Sequence, residues 1–122
     1  MSKKRRAAET RGRVAEFIAA LWLMLKGYRV LGQRLRTPFG EVDLAAWKNG
    51  VLVIVEVKAR KTYDAGAYAV HPQAQQRIGR AAEVLAGRWR LNAAPMRFDL
   101  IVVGASFLPK HERAAWMIEP RR

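Results

Sequence analysis

The chain has no cysteine among its 122 residues, which excludes disulfides and any thiolate-held zinc. It is also short of acid: ten Asp and Glu stand against 23 Lys and Arg, a formal charge of +13. Such an excess brings self-repulsion, and a polyanionic partner is the usual reason for it. Nucleic acid is the first such partner and an anionic membrane surface the second. No long hydrophobic run is present. The apolar stretch at 17–25 falls short of the roughly 20 residues that span a bilayer. Basic residues at 3–6 precede it, as in a secretory leader. However, Glu16 opens it, and Lys26-Gly27-Tyr28-Arg29 follow without a small-residue cleavage site. The stretch reads as a core helix, and the protein as cytoplasmic with no membrane contact. Repeats and low-complexity segments are missing too. The hydrophobic and charged fractions, 51% and 27%, are those of a globular chain.

What is present reads as a basic, flexible arm over residues 1–9 followed by a single domain over 10–122. Thr10 is placed to cap a helix that ends at Gly27. Val14, Phe17, Ile18, Leu21 and Leu25 form its expected buried stripe. Trp22, Leu23 and Met24 widen the stripe, which predicts cover on more than one side. Strands are expected over 28–35, 39–47 and 51–58, the last a nearly continuous β-branched run. Asn49-Gly50 joins the second and third as a hairpin signal. A helix over 72–89, with Ile78, Ala81, Ala82, Leu85 and Trp89 inward, precedes a core strand over 98–103 and a weak element over 114–118. The order α-β-β-β-α-β makes an α/β fold, a mixed sheet flanked by helices.

Three of the scarce acids fall in the stretch from residue 39 to 61, two of them inside hydrophobic runs. A two-residue turn at Asn49-Gly50 pairs Lys48 with Val51, Trp47 with Leu52, Ala45 with Ile54, Asp43 with Glu56 and Glu41 with Lys58. Alternation then puts Glu41, Asp43, Glu56 and Lys58 on one face of the hairpin. Like charges directly opposed destabilise a strand pair. Asp43 facing Glu56 therefore needs a shared proton, a nearby cation or water. Carboxylate oxygens are ligands that Mg²⁺ and Mn²⁺ prefer, with remaining positions left to water and substrate phosphate. Lys58 projects into the same place, where it can position an attacking water or offset phosphate charge. The competing reading is a solvent-facing ribbon in which Glu41 and Lys58 form an ordinary ion pair.

Asp43 followed by Glu56-Val57-Lys58 resembles the D…(D/E)-x-K signature of the PD-(D/E)XK nuclease superfamily. The wider string resembles the YraN family of uncharacterised bacterial proteins, relatives by fold of archaeal Holliday junction resolvases. It runs through Gly12 and Glu16, Gly27-Tyr28-Arg29, Gly40-Glu41-Val42-Asp43-Leu44, Val55-Glu56-Val57-Lys58-Ala59-Arg60 and Arg97-Phe98-Asp99. The resemblance implies a restriction-endonuclease-like core and a metal-dependent nuclease acting on DNA, on branched or damaged structures among others. It also implies that Asp43, Glu56 and the Val57 carbonyl hold Mg²⁺ or Mn²⁺, that Lys58 is the catalytic lysine, and that Glu16 completes the site. Glu16 has a second reading, as an acid favoured by the dipole near a helix start. Glu41 reaches the metal through water or pairs with Lys58. The family's lysine at the start of the second helix is replaced by Ala74, so Gln73, Gln75 or Gln76 is left to make the polar contact.

Arg11, Arg13, Arg60, Arg77 and Arg80, with Arg88 and the basic residues at 3–6, are candidates to hold phosphates without reading sequence. Tyr63 and Tyr68 either stack on unpaired bases or serve an ordinary loop. Asp99 reads as a structural ion pair with Arg97, and His71 and His111 as surface or capping residues. Two other functions stay open: a non-catalytic nucleic-acid-binding module on the same fold, and an RNA-associated protein. Resolvase-like action implies a homodimer, although no residue pattern demonstrates one.

Overall fold

The computed structural model describes residues 2–60, 70–104, 106 and 108–118; Tyr63 and Tyr68 lie outside the described residues. The elements run α1 (Lys3–Leu25), β1 (Arg29–Thr37), β2 (Gly40–Lys48), β3 (Val51–Ala59), α2 (Pro72–Arg88), β4 (Met96–Val103) and β5 (Pro109–Trp116). The five strands lie in sequence order in one mixed sheet. β3 and β4 are parallel, which requires the crossover through α2, and the other neighbours are antiparallel. The order is thus the expected one with a strand added, as in a restriction-endonuclease-like core.

Helix α1 departs from the sequence reading at its start. It begins at Lys3, with Ser2 as cap and the Ser2 hydroxyl accepting from Arg5 N at 3.2 Å. Residues 3–9, read as an arm, are strong helix formers with no breaker, and they continue the helix. The end falls where expected. Gly27 takes φ +86°, and Tyr28 N donates to the Leu23 carbonyl at 2.9 Å, a left-handed cap that glycine alone adopts without strain.

The buried face of α1 is rotated from the one expected, with Leu23 buried and Ile18 and Trp22 packed against the core as read, but smaller residues at its centre. Ala15, Glu16, Ala19, Ala20 and Leu23 are buried, whereas Phe17 is 58% and Leu25 85% exposed, with Val14, Leu21 and Met24 also turned outward. Small side chains let the helix backbone lie close over β3, where Val53 and Val55 meet it. Phe17, Leu21, Met24 and Leu25 are left outside. Accordingly, Leu23→Ala should cost about 3 kcal/mol in a urea unfolding experiment. Leu21→Ala should cost under about 1 kcal/mol. Equal losses would mean that the outward stripe is buried in solution.

Helix α2 covers the other face through Ile78, Ala81, Ala82 and Leu85, against Ala45, Leu52 and Ile54. The core is therefore two layers separated by the sheet. No described helix is long and apolar enough to cross a membrane.

Candidate metal and nucleic-acid site

The β2–β3 hairpin keeps the predicted register from Lys48↔Val51 to Leu44↔Val55. Asn49 and Gly50 both take positive φ, 52° and 78°, as a two-residue hairpin turn requires. Along β3, Leu52 and Ile54 enter the α2 layer and Val53 and Val55 the α1 layer. Glu56 and Lys58 continue the row that faces α2. On β2 the alternation breaks. Leu44 and Ala46 belong to the α1 layer, yet Val42 packs in the α2 layer. The break falls at Asp43, one residue beyond the last paired position.

At this break the Asp43 carboxylate turns onto β3. Its Oδ2 accepts the Val57 backbone N–H at 2.8 Å, so Val57 enters the site through its amide. Burial, then the charge of Glu56, drive the Asp43 carboxyl up to about 7. The Val57 N–H opposes this, a hydrogen bond shared with Glu56 adds to it, and Lys58 opposes it least. The Asp43 carboxyl is thus biased toward its protonated form, which eases the opposition of the two acids. Lys58 Nζ lies 3.3 Å from Glu56 Oε1, and the Glu56 side chain is 14% exposed.

The remaining acids stand elsewhere. Glu16 Oε1 accepts from Arg34 Nε at 2.6 Å, on the helix that covers the opposite face of the sheet from α2. Arg34 reaches it from a backbone at φ 49°. Glu41 pairs with Arg36 at 3.5 Å, both well exposed, and Lys58 pairs with Glu56 in its place. The ladder ends before the expected Glu41↔Lys58 position, which removes that contact. Among the described residues no three acidic or histidine side chains cluster closely enough to hold a metal ion together. The Asp43–Glu56 pair still suits a hard divalent cation: two partly buried carboxylates that offer oxygen donors only.

The arginines divide by face. Arg77 Nη1 donates to the Glu41 carbonyl at 3.3 Å, Arg88 Nη1 to the Arg36 carbonyl at 2.8 Å, and Arg80 stands over the Phe39 ring at 6.0 Å. Three arginines of α2 thus ride over the β1–β2 turn, a few residues before Asp43. Gly40 makes this approach workable. At φ +116° it is strained for any other residue, and a Cβ there would stand 2.6 Å from Arg77 Nη1. Arg60 is exposed, its Nη1 donating to the Ala59 carbonyl at 2.8 Å, just after β3. Arg11 and Arg13 are exposed on α1, away from the α2 arginines.

Over residues 15–103 the chain matches the family described as Uncharacterised protein family UPF0102. The chain belongs to UPF0102. It is 49% identical over 111 residues to a UPF0102 protein of Caulobacter sp. (strain K31), covering 90% of this chain and 80% of that one. A UPF0102 protein of Maricaulis maris (strain MCS10) is 45% identical over 118 residues, 96% of this chain and 93% of the relative. A third, from Agrobacterium fabrum, is 47% identical over 111 residues, 90% of this chain and 91% of the relative. UPF0102 is the YraN family to which the sequence motifs pointed, and PD-(D/E)XK membership is consistent with it.

Two site expectations can be placed further in this UPF0102 chain. Ala74 lies in the first turns of α2, half-buried, and Gln75 beside it donates Nε2 to the Val70 carbonyl at 2.8 Å. Gln75 is therefore tied to its own approach loop. His71 caps the helix, accepting from Gln73 N at 3.2 Å. The reading of the sequence missed Arg36 and Phe39 as neighbours of the site. The signal was there: an aromatic in the turn Thr37-Pro38-Phe39-Gly40, where polar residues are usual.

Proposed function

We propose that this UPF0102 protein is a metal-dependent nuclease that hydrolyses DNA phosphodiesters. The observation that carries this reading is the Asp43–Glu56 carboxyl pair with Lys58 3.3 Å from Glu56, in a chain of net charge +13. Asp43 and Glu56 would hold Mg²⁺ or Mn²⁺, with Val57 at the same place through its backbone. Such an ion, when bound, supplies Lewis-acid polarisation of a phosphoryl oxygen and a more acidic water.

The chain's own groups do the rest. Lys58 sets a positive charge beside the carboxylates, where it orients the phosphate and steadies negative charge developing on its oxygens. Arg77, Arg80 and Arg88 hold neighbouring phosphates without reading bases. The Asp43 hydrogen bond to Val57 N fixes one carboxylate oxygen. Ala74 at the usual lysine position, and Glu16 bound to Arg34, favour a second reading: a nucleic-acid-binding module with little or no cleavage.

A panel of single strand, duplex, flap and four-way junction DNA, incubated with Mn²⁺ or Mg²⁺, separates the two. Wild type should cleave at least one member, and Glu56→Gln should lose the activity by about a hundredfold or more. Retained cleavage in Glu56→Gln would assign the activity to a contaminant. DNA binding without cleavage, indifferent to metal, would establish the binding module. A competing RNA ligand that displaces DNA would redirect the reading to RNA.

A further inference from the structure

Phe39 is a large apolar side chain outside the buried core. It sits at the tip of the β1–β2 turn and is 42% exposed, while the core of that hairpin is supplied by Leu35 and Val42. The turn that carries it is firmly built. Thr37 Oγ1 donates to the Gly40 carbonyl at 2.7 Å and accepts the Phe39 N–H at 3.1 Å. Pro38 fixes one further backbone angle. On one side the Arg80 guanidinium stands over the ring, 6.0 Å from its centroid. Arg77 covers the adjoining Gly40 backbone. The aromatic is thus held out at the end of a stiff hairpin, flanked by cations.

We propose that Phe39 is a stacking platform for an unpaired nucleobase, and that the strand bound at Asp43–Glu56 carries such a base a few nucleotides from the reacting phosphate. This inference rests on the nuclease reading above. Four residue steps lead from Phe39 to Asp43, roughly 13 Å if extended, a span of a few nucleotides. Bases inside a continuous duplex offer no free face, whereas an unpaired base stacks on an aromatic ring whatever its identity. Arg80 contributes on the same ring, and Arg36, Arg77 and Arg88 hold the phosphates between. The ligand class is therefore single-stranded nucleic acid, or duplex with a gap, and fully paired duplex is the poorer ligand.

The test uses the full chain without metal, so that nothing is cut. Two probes are compared by fluorescence: a continuous DNA duplex, and the same duplex with a short single-stranded gap holding 2-aminopurine. Wild type is expected to bind the gapped probe about tenfold more tightly and to quench 2-aminopurine. Phe39→Ala should bring the affinity ratio to about one while leaving duplex affinity as it was. Phe39→Trp should retain both the ratio and the quenching. A ratio that Phe39→Ala leaves unchanged overturns the proposal, including where both affinities fall together. A wild type without preference also overturns it. In either case DNA binding keeps the nuclease reading alive, and only a wild type that binds neither probe removes both.

Discussion

Replacing Asp43 by asparagine is expected to make the metal-free protein more stable at about pH 8 and to abolish its response to Mn²⁺. Burial and the neighbouring Glu56 raise the Asp43 carboxyl from 3.8 to about 7, so the fold favours the protonated acid. The stability this group contributes is whole below about pH 4 and is lost as pH rises through about 7. A displacement of that size corresponds to a few kcal/mol, on the order of a third of a small domain's stability. Asparagine removes the charge yet keeps the geometry. Its carbonyl can accept the Val57 N–H, and its amide can donate to Glu56. Wild type should therefore melt at a lower temperature at about pH 8 than at about pH 5, and Asp43→Asn should show little change between them. Mn²⁺ should raise the wild-type melting temperature at about pH 8, less at about pH 5, where protons compete, and not at all in the variant. Equal melting temperatures for the two proteins at about pH 8 would mean that the carboxyl pair imposes no cost.

The other large effect lies on the neighbouring strand β4, where Asp99 pairs with Val55. Asp99→Ala is expected to cost about 3–5 kcal/mol, the usual result of removing one partner from a buried charged network. Asp99 is fully buried. It accepts from Arg97 Nε and Nη2, both at 2.8 Å, and from Ala114 N at 3.0 Å. His111 Nε2 lies 2.7 Å away. Arg97 Nη2 also donates to the Tyr28 hydroxyl at 2.6 Å, so the network ties β4 and β5 to the end of α1. The pairing with Arg97 was expected. The place of His111, buried beside Asp99 and neither surface nor cap, was not. The register between β4 and β5 shifts at Asp99, Ala114 opposite takes φ 50°, and the carboxylate satisfies the amide which that bulge displaces. Burial alone would raise the Asp99 carboxyl. The hydrogen bonds from His111, Arg97 and Ala114 overcome it and hold the group at about 2. Its contribution, about 2 kcal/mol, is thus present above about pH 4 and lost as pH falls toward 2. Chemical unfolding across that interval should show the loss in wild type and its absence in Asp99→Ala.

The parts of this fold that were legible in the sequence depend on local chemistry. Asn49-Gly50 sets a turn, and the turn sets the register as far as Leu44↔Val55. Gly27 ends α1 because the backbone there needs a left-handed residue. Less legible was whatever a distant surface decides. The outward stripe of α1 carries the larger apolar residues, but the sheet accepts the smaller ones, so residue size misdirected the reading. Strand β5 has no apolar alternation, and half of it is exposed. It exists because β4 offers an edge and Trp116 stacks on Phe98, ring centroids 5.5 Å apart. In the candidate site the Asp43–Glu56 encounter could be counted from the hairpin. The partners of Glu16 and Glu41 could not, since both are arginines on β1, whose path bends at a bulge between Val30 and Gly32.

The parallel pairing of β3 with β4 has a consequence for biosynthesis. The strand bearing Glu56 and Lys58 is central in the sheet, and its second neighbour begins only at Met96. Until the chain has been made through β4, β3 has an open edge and α2 has only part of the floor it packs on. An emerging chain can form the early hairpin, but its acid pair is finished only after most of the polypeptide has left the ribosome. The complete site, on this view, is withheld from any amino-terminal fragment, and a nascent or prematurely terminated chain carries the early hairpin without the sheet that frames its acids.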